Sequence, residues 1–441
     1  MSFYNSLKTK IEKKEAKVVV IGMGYVGLPL ALELGKAQYK VYGYDVNEEK
    51  IKMLHNGQSY IQDVDTRELT NCLNEGYFFP TSDDNVLSEA DIITICVPTP
   101  LTRNQEPDIS YIESAVGKIR SNFSPGKLIV LESTTYPGTT EEVIMKQLNN
   151  LGYIVGEDYF LCFSPERVDP GNKKYNTQNT PKVIGGVTEQ CNQLGIALYG
   201  NVIDKIVSVS SPRVAEMSKL LENTFRSINI SFVNEMAILC DKLDIDIWEV
   251  ISAAESKPFG YMPFYPGPGI GGHCIPLDPM YLSWKAKEQN FYSRFIELAQ
   301  DINKNMPNYV IQRLILALNK MGKALSNSSI LLLGMSYKPD IDDLRESPSL
   351  ELYELLINYG ARVFYNDPFA SNFKQYNGEV ATSIELNYQG MSEYDCIVLL
   401  TNHSQYDYNE IYKFSKLIFD TRNGFKNIND ASKIVKLGGG N

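Results

Sequence analysis

The sequence predicts an α/β protein with two doubly wound, parallel-sheet domains joined by a long central helix. In the first half, apolar runs rich in β-branched residues alternate with helical stretches, which is typical of a parallel sheet covered on both faces. A long stretch with helical periodicity follows, and apolar runs of strand length return after it. We therefore predict domains at residues 1–210, 211–320 and 321–441.

The strands of both sheets are predicted from runs of Val, Ile, Leu and aromatic residues. In the first domain the runs are Lys17–Gly22, Tyr39–Asp45, Asp91–Pro98, Lys127–Ser133, Tyr159–Ser164 and Lys182–Gly185. In the last domain they are Ser329–Gly334, Arg362–Asn366, Asp395–Thr401 and Lys416–Asp420. An acidic residue closes the second strand of each domain, Asp45 and Asp367, which suggests an internal duplication.

The central helix is predicted from about Ser211 to Glu255. Apolar residues recur there at steps of three and four, and no Pro follows Pro212 within the segment. Because such a helix exceeds the usual globular length, we expect its apolar faces to serve two domains or a second subunit. This length motivates the prediction of a homodimer.

Composition and charge exclude several classes of protein. The 441 residues are 43% hydrophobic and 22% charged, which is ordinary for a globular chain. Forty-two Lys and Arg against 53 Asp and Glu leave a net charge of −11, which disfavours nucleic acid as a partner. Seven Cys without a CxxC pair and three His without ligand spacing predict neither a disulfide framework nor a metal site.

Signals for membranes or export are not evident in the sequence. The apolar stretch Val18–Leu32 is interrupted by Gly and Pro, and it is shorter than the ~20 residues of a membrane span. Residues 1–17 are charged throughout and hold no apolar core of a signal peptide. We therefore expect a cytoplasmic protein with no membrane partner.

A Gly-rich turn directly after the first strand predicts a dinucleotide site. Gly22, Gly24 and Gly27 permit a tight turn, close approach to a pyrophosphate and close helix–strand packing. The N-terminus of the following helix adds N–H groups and partial positive charge. Asp45 would bind both ribose hydroxyls and repel a 2′-phosphate. The pattern predicts a Rossmann-like domain that prefers NAD to NADP.

Two further strands end in polar turns at the same sheet edge. Val97-Pro98-Thr99-Pro100 follows one strand and Glu132-Ser133-Thr134-Thr135 follows the next. Open α/β sheets bind ligands at the carboxyl ends of their strands, so both turns are candidates for the cofactor site. Each is also compatible with an ordinary strand-ending turn.

The most unusual segment is the Gly/Pro-rich loop from Phe264 to Pro279. Its Gly density exposes backbone N–H groups and brings the chain close to a ligand. The loop holds Cys274, with Asp278 four residues later. A Cys in such a loop is a candidate nucleophile rather than a packing residue.

These motifs resemble the UDP-glucose/GDP-mannose dehydrogenase family, whose members use NAD to oxidise C6 of a nucleotide sugar to a carboxylate. The resemblance covers nearly the whole chain and implies that the central domain carries the catalytic loop and the dimer interface, and that the last domain binds the UDP-sugar. The motifs are Gly22–Gly27, Val97–Pro100, Ser133-Thr134, Ser164–Arg167, Lys219 with Asn223, Gly271–Cys274, and Lys338 with Arg345.

The resemblance implies a four-electron oxidation with two hydride transfers and a covalent intermediate on Cys274. A nucleophile is needed because the aldehyde must be trapped as a thiohemiacetal and released as an acid from a thioester. Lys219 and Asn223 are four residues apart on one helix face, so both side chains can point at the same spot. They correspond to the family's pair that stabilises the developing oxyanion.

Three further catalytic roles come from the resemblance. Glu166 corresponds to the general base, and Asp278 to a carboxylate that activates the hydrolytic water or orients the Lys. Thr134 corresponds to a hydroxyl that helps to hold this water. Which carboxylate handles which proton stays open.

The resemblance also assigns binding residues. Lys338 corresponds to a substrate-phosphate contact, Arg345 to an NAD contact and Arg422 to a nucleotide contact. The implied cofactor-binding residues are Gly22, Met23, Gly24, Tyr25, Val26, Gly27, Asp45, Lys50, Pro98, Thr99, Ser133, Thr134 and Arg345. The implied substrate-binding residues are Arg167, Lys219, Asn223, Tyr265, Gly267, Gly271, Lys338 and Arg422.

Within the family, the sequence departs from the UDP-glucose branch. His273 precedes the Cys where that branch has a small hydroxyl residue, and Leu277 stands where it has Lys. Tyr136–Thr139, Ser164–Gly171 and Phe264–Asp278 instead resemble the UDP-N-acetylhexosamine branch. This likeness implies UDP-N-acetylglucosamine (UDP-GlcNAc) as substrate and surface-polysaccharide biosynthesis as the pathway. UDP-N-acetylmannosamine (UDP-ManNAc), UDP-N-acetylgalactosamine and UDP-glucose stay open.

Two alternatives of other kinds remain. A two-electron dehydrogenase of 2-hydroxy or 3-hydroxy acids on a similar frame leaves the Cys274 loop unexplained. A non-catalytic sensor of NAD or a nucleotide sugar would usually have lost its nucleophile or oxyanion partner, which this sequence keeps.

Overall fold

The computed structural model describes residues 2–61, 64–102, 104–169, 171–172 and 174–440; Met1 and Pro170, which fall within segments discussed above, lie outside them. The helices are α1 (Phe3–Glu12), α2 (Gly27–Lys36), α3 (Glu48–His55), α4 (Thr66–Asn74), α5 (Val86–Glu89), α6 (Ser110–Ser121), α7 (Lys146–Asn149), α8 (Glu189–Tyr199), α9 (Pro212–Leu243), α10 (Ile247–Glu255), α11 (Asp278–Glu288), α12 (Arg294–Lys320), α13 (Pro348–Asn358) and α14 (Tyr408–Phe414). The strands are β1 (Lys17–Ile21), β2 (Lys40–Tyr44), β3 (Phe78–Thr81), β4 (Ile92–Ile95), β5 (Lys127–Leu131), β6 (Tyr159–Phe163), β7 (Lys182–Gly186), β8 (Ile206–Val209), β9 (Ser329–Leu333), β10 (Arg362–Asn366), β11 (Asn372–Lys374), β12 (Val380–Thr382), β13 (Cys396–Leu399), β14 (Ile418–Asp420) and β15 (Ile434–Lys436).

The chain forms two compact units, and the first consists of Met1–Glu222 with Met280–Phe291. Its eight strands form one sheet in the order β3-β2-β1-β4-β5-β6-β7-β8. The inner strands β4, β5 and β6 are buried along their whole length, as expected where helices cover both faces. The strand order reverses between β1 and β4, which is where open α/β sheets bind ligands.

The sequence pattern missed the two edge strands of this sheet. Strand β3 contains Pro80, and an edge strand tolerates Pro because one side of its backbone has no partner. Strand β8 is only half-buried, so it lacks a continuous apolar run. One pair also departs from the parallel pattern, since β6 and β7 run antiparallel.

The segment predicted as one helix from Ser211 to Glu255 is two helices, α9 and α10. Asp244 adopts a left-handed φ of 57°, and the N–H of Ile245 donates to the carbonyl of Cys240, which ends α9. The side chain of Asp246 accepts from the N–H of Trp248 at 2.9 Å and caps α10. The long central helix is therefore confirmed over α9 but ends at Leu243.

The second unit consists of Asn223–Pro279 with Tyr292–Asn441. Its five-stranded sheet has the order β10-β9-β13-β14-β15, and all of its pairs are parallel. Helices α12 and α13 pack on this sheet through an apolar core. Strand β15 and the β11–β12 hairpin were not predicted, because these three-residue strands are partly exposed, whereas β14, of the same length, is buried.

The predicted fold class, two doubly wound sheets and a long helix, is confirmed. The boundaries of the three predicted domains stay a prediction. Within the described part of the chain, no helix combines the length and apolar character needed to cross a membrane.

Candidate active site

The Gly-rich turn between β1 and α2 is shaped as the sequence predicts. Gly22 has a φ of 95°, and a Cβ there would lie 2.7 Å from the carbonyl oxygen of Cys96. A Cβ at Gly27 would lie 1.8 Å from the carbonyl oxygen of Gly22. At Gly24, by contrast, nothing lies within 4 Å of that position. The turn therefore leaves open space where a pyrophosphate would approach the backbone, so its shape fits a dinucleotide.

Asp45 lies at the carboxyl end of β2 beside this turn. Its Oδ2 accepts from the N–H of Met23 and its Oδ1 from the N–H of Asn47, each at 2.9 Å. The Nζ of Lys50 lies 3.8 Å from Oδ2, which brings two predicted cofactor residues together. Each carboxylate oxygen keeps acceptor capacity beyond these bonds, which suits a pair of ribose hydroxyls.

The polar turns after β4 and β5 are joined by hydrogen bonds. The hydroxyl of Ser133 donates to the carbonyl of Val97 at 2.6 Å. Thr99 and Ser133 are buried and Thr134 is half-buried. The hydroxyl of Tyr281 donates to the carbonyl of Pro100 at 3.2 Å, so α11 holds this edge from the outside. The predicted residues Pro98, Thr99, Ser133 and Thr134 therefore share one sheet edge.

A buried ionic group lies behind these turns, and sequence reasoning did not find it. The Nζ of Lys182 lies 2.7 Å from Oε2 of Glu132, and the hydroxyl of Tyr199 donates to the other oxygen. Burial raises the pKa of Glu132, and the charge of Lys182 opposes that rise. Such a pair is costly unless all of its partners are in place, so it fixes the strand ends that carry the polar turns.

Glu166 and Arg167 follow β6 and are both half-buried. The Oε1 of Glu166 accepts from the N–H of Arg167 at 2.8 Å and from the N–H of Val168 at 2.6 Å. The guanidinium of Arg167 donates to both carboxylate oxygens of Glu222, at 2.7 and 3.2 Å. Arg167, predicted to bind substrate, therefore has an acidic partner that the sequence did not indicate.

Helix α9 carries the predicted oxyanion pair. Lys219 and Asn223 lie one turn apart and are both buried. The preceding turn of the helix is fastened by Glu216, whose carboxylate accepts from the N–H groups of Gly138 and Thr140 at 2.5 and 3.0 Å. Burial raises the pKa of Glu216.

In the second unit, three predicted catalytic residues lie together. The side-chain amide of Asn223 donates to Oδ2 of Asp278 at 2.5 Å. The N–H of Asp278 donates to the carbonyl of Cys274 at 2.9 Å, so the start of α11 closes onto the Cys. Cys274 is half-buried, whereas the other six Cys are buried. The structure thus places Asp278, whose carboxylate accepts from a side-chain amide, one turn after a partly accessible Cys, with its N–H bonded to the backbone carbonyl of that Cys.

The same loop brings two predicted substrate residues into contact. A Cβ at Gly267 would lie 2.4 Å from Nη1 of Arg422, so only Gly leaves room for the guanidinium. Burial lowers the pKa of Arg422 to about 10, which leaves it charged at neutral pH. Its Nε donates to the carbonyl of Leu400 at 2.8 Å. The ring of Tyr265 stacks on Trp248 with centroids 6.0 Å apart.

The remaining predicted residues lie in the loop after β9. Lys338 is half-buried there. The Arg345 guanidinium donates to both oxygens of Asp343, with Nε–Oδ1 and Nη2–Oδ2 distances of 2.9 and 2.6 Å. Gly271, from the Cys loop, packs against Tyr337 of this segment.

Sequence reasoning also missed two buried Asn residues that hold the Cys loop. Asn234 accepts from the N–H of Gly267 at 3.0 Å, and its amide donates to Asn303 at 3.0 Å. A signal was present, since Asn234 follows Asn223 and Ser227 at helical spacing along α9, and all three are buried. Polar residues on a buried helix face indicate hydrogen-bonded partners.

The geometry defines a class of protein: a dinucleotide-binding α/β enzyme with a thiol in a Gly-rich loop. Family models narrow this class. The NAD binding domain of the UDP-glucose/GDP-mannose dehydrogenase family matches residues 16–203, the central domain matches 213–305 and the UDP binding domain matches 331–427. The chain belongs to the UDP-glucose/GDP-mannose dehydrogenase family.

Individual relatives are similar over nearly the full chain. A UDP-N-acetyl-D-glucosamine 6-dehydrogenase of Salmonella typhi is 36% identical over 396 residues, 89% of this chain and 91% of that protein. A UDP-N-acetyl-D-mannosamine dehydrogenase of Methanococcus maripaludis strain C7 is 34% identical over 421 residues, 92% of each chain. The solved UDP-D-ManNAc dehydrogenase of Pyrococcus horikoshii superposes with a TM-score of 0.87 at 32% identity, covering 96% of this chain and 99% of that one.

The protein is therefore an NAD-dependent oxidoreductase that acts as a UDP-sugar 6-dehydrogenase. The expected cofactor, NAD, and the expected class of substrate, a UDP-sugar, are confirmed. Across the described residues, no group of three or more His, Cys, Asp or Glu side chains is arranged to hold a metal ion.

Proposed function

We propose that this enzyme oxidises UDP-GlcNAc to its uronic acid in two oxidation steps at C6, through a covalent intermediate. The observation that carries the proposal is the group of Cys274, Asp278 and Asn223, linked by the 2.5 Å Asn223–Asp278 bond and the 2.9 Å bond from the Asp278 N–H to the Cys274 carbonyl. A single hydride transfer needs only an acid/base. A partly exposed Cys, whose backbone carbonyl accepts from the N–H of Asp278, supports a second step through a thioester.

In the proposed reaction, NAD would supply the hydride acceptor for each oxidation, and a second molecule of NAD would replace the first NADH between the two. A carboxylate, Glu166 or Asp278, takes the proton of the C6 hydroxyl, and the aldehyde forms. The Cys274 thiolate adds to the aldehyde carbon, and the new oxyanion receives hydrogen bonds from Lys219 and Asn223. When the second hydride leaves this thiohemiacetal, a thioester remains on the sulfur.

Hydrolysis then releases the acid. A water molecule held by Thr134 loses a proton to a carboxylate and attacks the thioester carbon. The bond between carbon and sulfur breaks, and Cys274 returns as the thiolate. Gly22–Gly27 and Asp45 would hold the cofactor, and Lys338 with Arg422 would hold the diphosphate and nucleotide of the substrate.

The sugar is proposed from the likeness of the sequence motifs to the UDP-N-acetylhexosamine branch and from the Salmonella typhi relative. UDP-ManNAc is the second candidate, because the Methanococcus maripaludis relative and the Pyrococcus horikoshii structure are named for that sugar. Membership of a surface-polysaccharide pathway stays a prediction with the sugar.

We also propose the three-domain division, in which residues 1–210 bind NAD, 211–320 carry the Cys loop and the dimer contact, and 321–441 bind the UDP-sugar. The homodimer is supported by an exposed apolar face on α9, formed by Val214, Met217, Leu221, Phe225, Phe232, Leu239 and Leu243. These residues recur at helical spacing, and an exposed apolar stripe of this length is typical of an interface.

The activity is tested by incubating the purified protein with NAD and each of UDP-GlcNAc, UDP-ManNAc, UDP-N-acetylgalactosamine and UDP-glucose. We expect two NADH per UDP-GlcNAc, measured by absorbance, and a product mass that matches the uronic acid. One NADH per sugar would overturn the thioester step. Turnover of another sugar alone would overturn the substrate assignment and leave the mechanism intact.

The dimer is tested by light scattering at assay concentration. We expect the wild-type protein to be a dimer, and the double variant Leu221→Glu with Phe232→Glu to be a monomer with unchanged far-UV circular dichroism. Glu235→Gln, on the same helix at an exposed polar position, is the matched control. A monomeric wild-type protein would contradict the proposal.

A further inference from the structure

Two loops of the second unit lie against each other. The thiol loop, residues 264–277, carries Cys274, and the lysine loop, residues 334–347, carries Lys338. The inference rests on the proposed function, in which the lysine loop binds the substrate phosphates and the thiol loop carries the nucleophile. The contact between the two loops then connects phosphate binding with the position of Cys274.

The contact is made by Tyr337, the residue directly before Lys338. A Cβ at Gly271 would lie 2.5 Å from the Cβ of Tyr337. A Cβ at Gly272 would lie 2.8 Å from the ring carbon Cε2. Two consecutive glycines thus present bare backbone to one aromatic side chain, with no room for a side chain at either position. Gly272 also has a φ of 88°, which favours Gly there.

A second bond fastens the loops two residues before the thiol. The N–H of Gly272 donates to the carbonyl of Arg345 at 2.9 Å. Cys274 follows, and its carbonyl accepts from the N–H of Asp278. The thiol therefore lies between one attachment to the lysine loop and one attachment to α11.

The lysine loop is itself anchored on both sides of Tyr337. Before it, the N–H of Ser336 donates to buried Asp367 at 2.9 Å. The N–H of Tyr337 donates to the carbonyl of Asp343 at 3.1 Å. After it, the N–H of Asp340 donates to Nδ1 of His403 at 3.0 Å. The backbone around Tyr337 is therefore fixed by hydrogen bonds. A ligand that binds Lys338 contacts the residue directly after Tyr337.

We propose that Tyr337 is a positioning residue that seats the thiol loop on the lysine loop, so that a diphosphate bound at Lys338 holds Cys274 in its reactive place. Tyr337 touches neither the reacting carbon nor the sulfur in this role; it acts through the backbone of Gly271 and Gly272. Misplacement of a reacting group by about 1 Å costs on the order of 100-fold in rate, so this seat matters for catalysis.

The test uses the alkylation rate of Cys274 by iodoacetamide, with and without saturating UDP. The readout is specific, because the other six Cys are buried. UDP carries the diphosphate but no sugar, so it leaves the sugar position next to the thiol empty. We expect UDP to change the alkylation rate several-fold in the wild-type protein and in Tyr337→Phe, which keeps the ring, because the bound diphosphate fixes the loop that carries the thiol. In Tyr337→Ala we expect the rates with and without UDP to be equal within twofold.

Steady-state kinetics provide the second readout. We expect Tyr337→Ala to lower kcat by about 10- to 100-fold while KM for the UDP-sugar changes less than threefold, because the seat acts on the thiol and not on binding. Tyr337→Leu, which keeps most of the side-chain volume, serves if the Ala variant does not fold. Tyr376→Ala, at a residue 79% exposed in the same unit, is the matched control and should behave as wild type.

The outcomes separate this inference from the proposed function. If calorimetry shows UDP bound to Tyr337→Ala and UDP changes the alkylation rate as in wild type, the positioning role is overturned and the proposed function stands. If UDP does not bind to the wild-type protein at millimolar concentration, the proposed substrate site is overturned and the inference falls with it.

Discussion

Both units have a left-handed Gly after one strand whose N–H bonds to the end of the neighbouring strand, and in both an Asp follows that neighbouring strand. The two Asp side chains have different surroundings. In the first, the N–H of Gly22 donates to the carbonyl of Tyr44 at 2.8 Å. In the second, the N–H of Gly334 donates to Asn366 at 2.9 Å. Both glycines have a left-handed φ, 95° and 86°. This repeat supports the internal duplication that the sequence suggests.

The acidic residues that follow these strands differ in what surrounds them. Asp45 accepts two backbone N–H bonds, its side chain is 11% exposed, and it has Lys50 beside it. The Asp367 side chain is completely buried. Its oxygens accept from the backbone N–H groups of Met335, Ser336, Phe369 and Ala370 and from the hydroxyl of Ser336.

His403 completes the enclosure of Asp367. Its Nδ1 accepts from the N–H of Asp340 at 3.0 Å, so its Nε2 carries the proton and donates to Asp367 across 3.1 Å. A carboxylate saturated in this way has no capacity for a ribose. The comparison teaches that the spacing of Gly and Asp places the carboxylate, while its neighbours decide whether it binds a ligand or holds the fold.

The largest expected effect tests whether Cys274, in the second unit, is the nucleophile. Cys274→Ala should lower acid formation at least about 1000-fold, because no other residue replaces the nucleophile. NAD binding, measured by fluorescence titration, should change less than twofold, since the Gly22 turn and Asp45 lie in the other unit. Cys240→Ala, in an apolar cluster of the second unit, is the control. Acid formation at a normal rate would exclude the covalent mechanism.

The next effect separates the two carboxylates by stability. Asp367→Ala should lower the free energy of unfolding by about 3–5 kcal/mol, because it leaves a buried His and several N–H groups without their acceptor. Urea denaturation followed by circular dichroism measures this change. Asp45→Ala should lower the free energy of unfolding clearly less, since the Asp45 carboxylate accepts two backbone hydrogen bonds. Equal losses would contradict the comparison.

The pH dependence of stability follows from the same enclosure. Burial works to raise the pKa of Asp367, but the hydrogen bonds from His403, Ser336 and Phe369 outweigh it and hold the pKa at about 2. Since the unfolded carboxyl titrates near pH ~3.9, its stabilisation is present above about pH 4 and is lost as the pH falls towards 2.

This loss amounts to about 2–3 kcal/mol for one such group. We expect urea midpoints of the wild-type protein to fall between pH 5 and pH 3 by more than those of Asp367→Asn, which lacks the titrating carboxyl. A variant with the same pH dependence as wild type would show that Asp367 does not carry the effect.

The smallest effect concerns the cofactor. Asp45→Ala should raise KM for NAD about tenfold, the equivalent of one hydrogen bond to a charged group, while kcat stays within threefold. The ratio of activity with NAD to activity with NADP should fall, because the charge that repels a 2′-phosphate is gone. Glu48→Gln, at an exposed acidic residue of α3, is the control. An unchanged KM would remove Asp45 from the proposed cofactor site.

Much of the fold was predictable because its signals are local. The buried strands β1, β4, β5 and β9 show as apolar runs, and the Gly22–Gly27 spacing predicts the turn that the structure contains. The edge strands escaped detection because they are short or half-exposed and, in β3, contain Pro80. The end of α9 at Leu243 escaped detection because an Asp, rather than a Gly or Pro, takes the left-handed conformation.

The sequence predicted which residues belong to the candidate site, but not which side chains they bond to. Sequence indicated Arg167 and Arg345 as cations for ligands, whereas each donates to a carboxylate, Glu222 and Asp343. The Glu132–Lys182 pair gave no signal, because Glu132 follows β5, Lys182 begins β7, and each alone resembles an ordinary strand-end residue.

The sequence by itself determined the fold class, the NAD cofactor and the family, since these depend on periodicity and on motifs within a few tens of residues. Only the tertiary structure decided that Asp367 is completely buried while the Asp45 side chain is 11% exposed, that Arg422 fits against Gly267, and that Tyr337 packs against Gly271 and Gly272. These contacts join residues far apart along the chain. Their energies depend on burial and on the directions of hydrogen bonds, and both exist only once the chain has folded.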